Sequence, residues 1–208
     1  MEKIKVTLLG DSIRQIGYGT VVPEMLGDEF EVFQPRDNCR FSKFTLRGLY
    51  DWEKEMRGTR IVHWNNGLWD TCRLFEEVEG CFSSEEEYID NMLKIADILL
   101  NRYDKVIFAT TTPVVEVNTI ENNEDVERYN EIIVPLLKEK GVIINDLYSL
   151  VCENPDKYIA EDAIHLSEEG IDVCGKKVVE MIKEAAKTLG DAKKCETAAD
   201  KKDIGAPV

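Results

Sequence analysis

The chain has 208 residues, a hydrophobic fraction of 43% and a formal net charge of -15, which suits one globular domain with one core. The negative charge argues against a nucleic-acid partner, because binding phosphates requires clustered lysines and arginines. No apolar run approaches the roughly 18 residues of a membrane-spanning helix. The N-terminal segment also lacks the pattern of a signal peptide. We therefore expect a cytoplasmic protein that does not bind membranes.

The cysteines argue against a metal site. None of them forms a C-x-x-C pair, so a zinc site is not expected, and without export disulfides are not expected either. We expect no metal and interpret these residues as reduced thiols that mostly fill the core. The six cysteines are Cys39, Cys72, Cys81, Cys152, Cys174 and Cys195.

Apolar periodicity predicts strands that alternate with helices along the chain. In chain order, we expect strand 3–9, helix 18–26, strand 29–35, helix 45–56, strand 59–65, helix 83–103, strand 104–113, helix 124–141, strand 142–146, a short helix and turn over 147–155, and helix 166–190. Loops are expected over 37–44, 66–81 and 114–123. Helix 83–103 begins at a capping box, formed by Ser83 with Glu86 or by Ser84 with Glu87.

This alternation predicts an α/β fold, a three-layer α/β/α sandwich with a five-stranded parallel sheet. The first strand is apolar nearly throughout, as strands of parallel sheets are when both faces are buried. After Gly190 the apolar periodicity stops. We therefore expect a single domain over 1–190, followed by a disordered tail over 191–208. Sites in such sheets lie beyond the carboxyl ends of the strands, so the segments that follow the strands carry the candidate chemistry.

A serine follows the first strand, in the sequence Gly10-Asp11-Ser12. A nucleophilic serine needs a base, usually a histidine, within hydrogen-bonding distance. His63 lies inside the third strand and is most simply a core residue. His165 lies just before the last helix, and Asp162 precedes it by three residues. A carboxylate at that spacing can fold back onto the imidazole and fix its tautomer, so Ser12, His165 and Asp162 form a candidate catalytic triad.

Attack on an ester also requires hydrogen-bond donors for the oxyanion. The backbone N–H of Ser12, at the entry to a helix, is one candidate. A side-chain amide after the third strand is a second. The sequence H-W-N-N-G offers both Asn65 and Asn66 for this role, and two adjacent asparagines can also simply serve the turn.

These three blocks together resemble those of the GDSL, or SGNH, hydrolase family. The residues that carry the resemblance are G-D-S-I near the N-terminus, H-W-N-N-G after the third strand and D-A-I-H before the last helix. The resemblance extends from residue 4 to about residue 189. It implies a flavodoxin-like strand order of 2-1-3-4-5 and no metal or organic cofactor. It also implies an esterase, thioesterase, lipase or carbohydrate O-deacetylase activity.

The resemblance assigns roles to individual residues. Ser12 is similar to the family's nucleophile, His165 to the base and Asp162 to its partner. Asn65 is similar to the oxyanion asparagine of the G-x-N-D pattern, with His63 in place of the glycine, although a shift of one residue would select Asn66. In D-N-C-R-F-S, Arg40 stands where the family's second block has a glycine whose N–H is an oxyanion donor.

Further residues are candidates for contact with the substrate. Asp11, Arg14, Asn66 and Trp69 follow the strands at the expected site, and Asp70 is a polar neighbour that more simply serves packing. Trp64 and Trp69 are candidates for stacking on a sugar, although tryptophans beside a strand end are more often core. The loops are short and polar, without an apolar lid, which favours a small acyl group such as acetyl, on a carbohydrate.

The sequence thus predicts a serine hydrolase that cleaves small acyl esters through an acyl-enzyme. Two alternatives remain, a nucleotide- or phosphate-binding module and a non-catalytic sugar-binding protein on the same scaffold. The glycines at 10, 17 and 19 do not spell a G-x-G-x-x-G or P-loop motif. The sequence leaves open the natural ester, transfer to an acceptor other than water, and the oligomeric state.

Overall fold

A five-stranded parallel sheet forms the centre of the protein. The computed structural model describes residues 3–115 and 120–190. The strand order is β2-β1-β3-β4-β5, and every neighbouring pair is parallel. The strands are β1 (Ile4–Leu9), β2 (Phe30–Phe33), β3 (Ile61–Trp64), β4 (Lys105–Ala109) and β5 (Ile143–Asn145). The predicted fold class and the strand order implied by the resemblance are therefore both confirmed.

Helices connect the strands. After β1 the chain forms a π-helical turn over Ile13–Gly17 and a 3-10 turn over Tyr18–Thr20. The α-helices are α1 (Val22–Leu26), α2 (Ser42–Asp51), α3 (Leu68–Thr71), α4 (Glu85–Arg102), α5 (Asn123–Glu139), α6 (Leu147–Cys152), α7 (Pro155–Tyr158) and α8 (Glu168–Lys187).

Each face of the sheet is covered by its own hydrophobic core. One core includes side chains of α1, α6 and α8, and the other includes side chains of α2, α4 and α5. The central strand β3 supplies both, because its side chains alternate between faces: Ile61 belongs to the first core, whereas Val62 and Trp64 belong to the second. The result is the predicted three-layer sandwich.

Two of the differences from the prediction concern the elements α2 and α3. Helix α2 begins at Ser42, inside the predicted loop 37–44, because the Asp70 carboxylate accepts a hydrogen bond from the Ser42 backbone N–H (2.9 Å). The predicted loop 66–81 contains the short helix α3. Together these changes bring α2 and α3 to the edge of the sheet where the strands end.

The start of α4 is settled in favour of the second predicted capping box. The Ser84 hydroxyl accepts from the Glu87 backbone N–H, and the Glu87 carboxylate accepts in return from the Ser84 N–H. The predicted tail 191–208 lies outside the described residues. Across 3–115 and 120–190, no helix combines the length and apolar character needed to cross a membrane.

Candidate active site

The turn after β1 is shaped by contact with β3. A Cβ atom on Gly10 would lie 2.0 Å from Oδ1 of Asn65, so no side chain fits at this position. The backbone here also joins the next loop, since the Cys39 N–H donates to the Gly10 carbonyl (3.1 Å). Glycine is therefore required because β1 and β3 approach closely at their carboxyl ends.

Ser12 stands at the start of the π-helical turn but does not cap it. Asp11 takes that role, because its Oδ1 accepts from the Ile13 backbone N–H (2.9 Å) and its carbonyl accepts from the backbone N–H groups of Arg14 and Gln15. Asp11 is 1% exposed, whereas Ser12 is partly exposed. The Ser12 hydroxyl is thus not needed to stabilise the turn.

Asp162 and His165 form a hydrogen-bonded pair before α8. The Nδ1 atom of His165 lies 2.7 Å from Oδ2 of Asp162. The other carboxylate oxygen, Oδ1, accepts from the backbone N–H groups of Ile164 (3.0 Å) and His165 (2.9 Å). Burial raises the pKa of Asp162, but these hydrogen bonds outweigh burial and lower it overall. The pair is held as an ionised carboxylate beside an imidazole whose Nε2 is left for another partner.

The loop that carries His165 packs against the turn that carries Ser12. Leu166 is buried, and its Cδ1 would lie 3.3 Å from a Cβ atom on Gly17. His165 is also close enough to Asp11 for its charge to oppose the rise in the pKa of that carboxyl. The structure therefore brings the predicted base and the predicted nucleophile to the same end of the sheet.

Asn65 is held at both ends of its amide. Its Nδ2 donates to Oδ1 of Asp11 (2.8 Å), and its Oδ1 accepts from the Tyr18 hydroxyl (2.6 Å). The Asp11 carboxylate accepts and the Tyr18 hydroxyl donates, so these two partners determine which end of the Asn65 amide carries the N–H groups. Among the described residues, the second Nδ2 hydrogen has no hydrogen-bond acceptor. Burial raises the pKa of Asp11 to about 6, although the bonds from Asn65 and Ile13 and nearby positive charges oppose that rise.

Asn66 serves the neighbouring loop instead. It is 0% exposed, and its Nδ2 donates to the carbonyl of Arg40 (2.8 Å). The Asn66 carbonyl in turn accepts from the buried hydroxyls of Tyr88 (3.0 Å) and Thr111 (3.2 Å). These contacts favour Asn65 over Asn66 as the oxyanion donor and do not fit a substrate contact for Asn66.

Arg40, which stands where the resemblance predicts a glycine, has a backbone conformation that favours glycine. Its φ is 50°, in the left-handed region where L-residues with a side chain are uncommon. Its N–H donates to Oδ1 of Asn38 (2.7 Å), so this donor is engaged locally. To serve the oxyanion hole, it would have to be shared between Asn38 and the oxyanion.

Asp70 is a buried anchor between three helices. It is 0% exposed and accepts from the backbone N–H (2.9 Å) and hydroxyl (2.7 Å) of Ser42 and from the hydroxyl of Ser83 (2.7 Å). Burial raises its pKa to about 6, although these bonds oppose the rise. Asp70 thus joins α3 to the beginning of α2, two residues after Arg40, and to the segment that precedes α4.

Two further residues predicted to contact the substrate, Arg14 and Asp11, are buried. Arg14 is 1% exposed, and its guanidinium donates to the carbonyls of Gly10 (3.0 Å), Pro35 (2.8 Å) and Asp37 (2.8 Å). It therefore braces the loops beneath the site. Asp11 is equally buried and holds Asn65 and the turn in place.

The tryptophans have different environments. Trp64 is 0% exposed and packs against Phe108, with ring centroids 4.9 Å apart, so the interpretation of Trp64 as a sugar-stacking residue is wrong. Trp69 in α3 is 39% exposed and remains available to a ligand.

The surface next to the site is more apolar than expected. Exposed apolar side chains occur throughout the segment from α3 to the start of α4, which corrects the expectation of polar loops. They are Trp69, Leu74, Phe75, Val78 and Phe82. Phe82 packs on Phe41, with ring centroids 5.1 Å apart, so this surface continues to the residue after Arg40.

Sequence reasoning did not identify Tyr18 and gave Asp70 only a packing role. Tyr18 occurs in an apolar helical pattern typical of core residues, and its hydroxyl meets a residue 47 positions later. The local sequence contains one indication that Asp70 is buried: its carboxylate lies in the mostly apolar stretch L-W-D-T-C. Such a position is buried only when distant donors satisfy the carboxylate.

Two sequence relatives define the class of this protein, the GDSL-type ester hydrolases. The chain is 32% identical over 216 residues to the GDSL esterase/lipase CPRD49 of Arabidopsis thaliana, covering 87% of this chain and 79% of the relative. It is 35% identical over 115 residues to the GDSL esterase/lipase WDL1 of Oryza sativa, spanning 48% of this chain and 44% of the relative. No model of a known protein family matches. The chain belongs to the GDSL esterase/lipase family.

Solved structures show the same fold. A lipase/acylhydrolase from Enterococcus faecalis aligns with a TM-score of 0.72 at 18% identity, covering 87% of this chain and 96% of that chain. The acetyl xylan esterase AlAXEase aligns with a TM-score of 0.69 at 20% identity, covering 86% and 100%. The protein is thus a serine hydrolase of the GDSL type, and the family relationship favours an esterase over the nucleotide-binding alternative.

Proposed function

We propose that the protein hydrolyses small acyl esters, with acetyl esters of a carbohydrate as the first substrate class to test, through a Ser12–His165–Asp162 triad. The observation that carries this proposal is the Asp162–His165 hydrogen bond of 2.7 Å, in a loop packed against the turn of Ser12. A carboxylate on Nδ1 keeps Nε2 as the atom that accepts the serine proton.

In the first half of the reaction, Ser12 Oγ bonds to the carbonyl carbon of the ester while His165 Nε2 takes its proton. The carbonyl oxygen becomes an oxyanion, which the Ser12 N–H and the free Nδ2 hydrogen of Asn65 stabilise, with the Arg40 N–H as a third, shared donor. The imidazolium is stabilised by Asp162. It then protonates the leaving alcohol as the C–O bond breaks, and the acyl group remains on Ser12.

Water completes the reaction in the second half. His165 takes a proton from water as the water oxygen bonds to the acyl carbon. The Ser12–acyl bond then breaks, and Ser12 recovers its proton from the imidazolium. The carboxylic acid leaves, and the enzyme returns to its starting state without any added redox partner or cofactor.

Two observations bear on the size of the acyl group. Acetyl is supported by the solved structures of similar fold that act on acetyl xylan. The exposed apolar side chains between α3 and α4 provide surface on which a longer acyl chain could also lie. A series of 4-nitrophenyl esters from acetate to octanoate therefore tests acyl size directly.

The triad is tested with the same series. Ser12→Ala and His165→Ala are each expected to lower kcat at least 10³-fold on the best ester, because nucleophile and base act as one unit. Asp162→Asn is expected to lower kcat as well, because an amide cannot hold the imidazole tautomer as a carboxylate does. Melting temperatures close to that of the wild type would show that folding is intact. If Ser12→Ala kept wild-type activity, the proposal would be wrong.

A further inference from the structure

Arg40 places a charged side chain where the family pattern has none. Its backbone has the left-handed conformation of the glycine that it replaces, and its side chain is exposed. A glycine there would bring no side chain and no charge to this position. The long cationic side chain therefore changes what a substrate meets beside the reacting carbonyl.

The backbone of Arg40 is held between the two strand ends that build the site. Its carbonyl accepts from Asn66, the residue after the oxyanion asparagine (2.8 Å). The preceding residue, Cys39, bonds through its N–H to the carbonyl of Gly10, two residues before Ser12 (3.1 Å). The side chain of Arg40 therefore begins within the site.

The guanidinium is oriented but not neutralised. Its central carbon lies 4.9 Å from the centroid of the Phe44 ring, which supports one face of the planar group by a cation–π contact. Phe41 supports Phe44 in turn, with ring centroids 6.2 Å apart. Among the residues that the structure describes, no carboxylate forms an ion pair with Arg40. The N–H edge of the group is left to bind an external anion.

The surrounding segment is basic in an acidic protein. Residues 36–47 contain four basic side chains and one acidic side chain, whereas the whole chain has 26 lysines and arginines against 41 aspartates and glutamates. Arg36, Arg40 and Lys43 are all exposed. Two carboxylates of the candidate site are bound to other groups, Asp11 to Asn65 and Asp162 to His165.

We propose that Arg40 is a specificity-determining residue, which selects esters that carry a carboxylate or a similar anionic group close to the reacting carbonyl. A guanidinium binds a carboxylate through two parallel N–H···O bonds, and this pairing is stronger and more directional than that of an ammonium. The inference rests on the proposed function, because it requires that an ester react at Ser12. It adds to that function the charge of the substrate.

Two pairs of matched esters test the charge, on either side of the ester bond. On the alcohol side, 3-acetoxybenzoate is compared with phenyl acetate. On the acyl side, the monoester of glutaric acid with 4-nitrophenol is compared with 4-nitrophenyl pentanoate. In each pair, the measured quantity is the ratio of kcat/KM for the anionic ester to kcat/KM for the neutral ester, so changes that affect both esters equally cancel.

Arg40→Gln removes the charge, and Arg40→Lys keeps it. Arginine, glutamine and lysine each have a Cβ atom, so the left-handed backbone at position 40 is equally unfavourable for all three. Arg47→Gln is the matched control, because it removes one charge from the same basic segment, 36–47, at a residue that is paired with Asp51 (2.7 Å). We expect Arg40→Gln to lower the ratio about tenfold in at least one pair, mainly through KM. Arg40→Lys should keep part of the ratio, and Arg47→Gln should leave it unchanged.

The outcomes separate this inference from the proposed function. A ratio that is the same in Arg40→Gln and the wild type, in both pairs, overturns the role of Arg40 and leaves the esterase intact. An equal loss in Arg47→Gln would show a general field effect and would also overturn it. A folded wild-type protein that hydrolyses none of the four esters would contradict the proposed function itself, and the inference with it.

Discussion

At the scale of single residues, the proposed oxyanion donor Asn65 depends on its amide being held in one orientation. Asn65 presents a free Nδ2 hydrogen only while Asp11 accepts the other hydrogen and the Tyr18 hydroxyl occupies Oδ1. Tyr18 is fully buried, so its side chain is not accessible to a substrate. We infer that it is a positioning residue, which would act on the proposed reaction through Asn65.

Tyr18→Phe should therefore lower kcat about tenfold with little change in KM, because the amide stabilises charge that develops in the transition state. The measurement is steady-state kinetics on the best ester, with the melting temperature as a check on folding. Tyr129→Phe is the matched control, since it removes another buried hydroxyl, which donates to the Ser83 carbonyl (2.5 Å). An unchanged kcat in Tyr18→Phe, or an equal fall in Tyr129→Phe, would contradict the role of Tyr18.

At the scale of elements, Asp70 connects α3 with the starts of α2 and α4, and no basic side chain within 3–115 and 120–190 forms an ion pair with it. A buried carboxylate held only by neutral donors favours its protonated form, and its pKa is about 6. The folded protein therefore binds this proton more tightly than the unfolded chain does. The stability that comes from Asp70 is present at acid pH and is lost as the pH rises through about 4 to 6.

Asp70→Asn removes that titration. The free energy of unfolding of the wild type minus that of Asp70→Asn should fall by up to about 3 kcal/mol between pH 4 and pH 7, measured by urea unfolding at several pH values. If this difference in the free energy of unfolding stayed constant between pH 4 and pH 7, the raised pKa of Asp70 would be contradicted.

Asp125→Asn is a control of opposite sign. Burial raises the pKa of Asp125, but its bonds to Arg73, Asn122 and Arg128 outweigh burial and lower it. The stability from Asp125 is therefore present at neutral pH and is lost only as the pH falls below about 4. The free energy of unfolding of the wild type minus that of Asp125→Asn should therefore stay constant between pH 4 and pH 7, where the difference for Asp70→Asn falls.

At the scale of the whole molecule, the order of elements was predictable because each strand is a short apolar run and each long helix has its own periodicity. The positions of Ser12, Asp162 and His165 were predictable because each lies in a short motif, one directly after β1 and the other in the loop before α8. The amide partners of Asn65, the early start of α2 and the burial of Arg14 were not. Each depends on a contact between residues far apart in sequence, which no local pattern contains.

The whole account depends on Ser12 being an activated nucleophile. The most direct measurement is the intact mass of the protein after incubation with a small fluorophosphonate, for the wild type, Ser12→Ala and His165→Ala. We predict a single adduct on the wild type, none on Ser12→Ala and a much slower reaction of His165→Ala. No adduct on the folded wild type, or equal labelling of Ser12→Ala, would contradict the account.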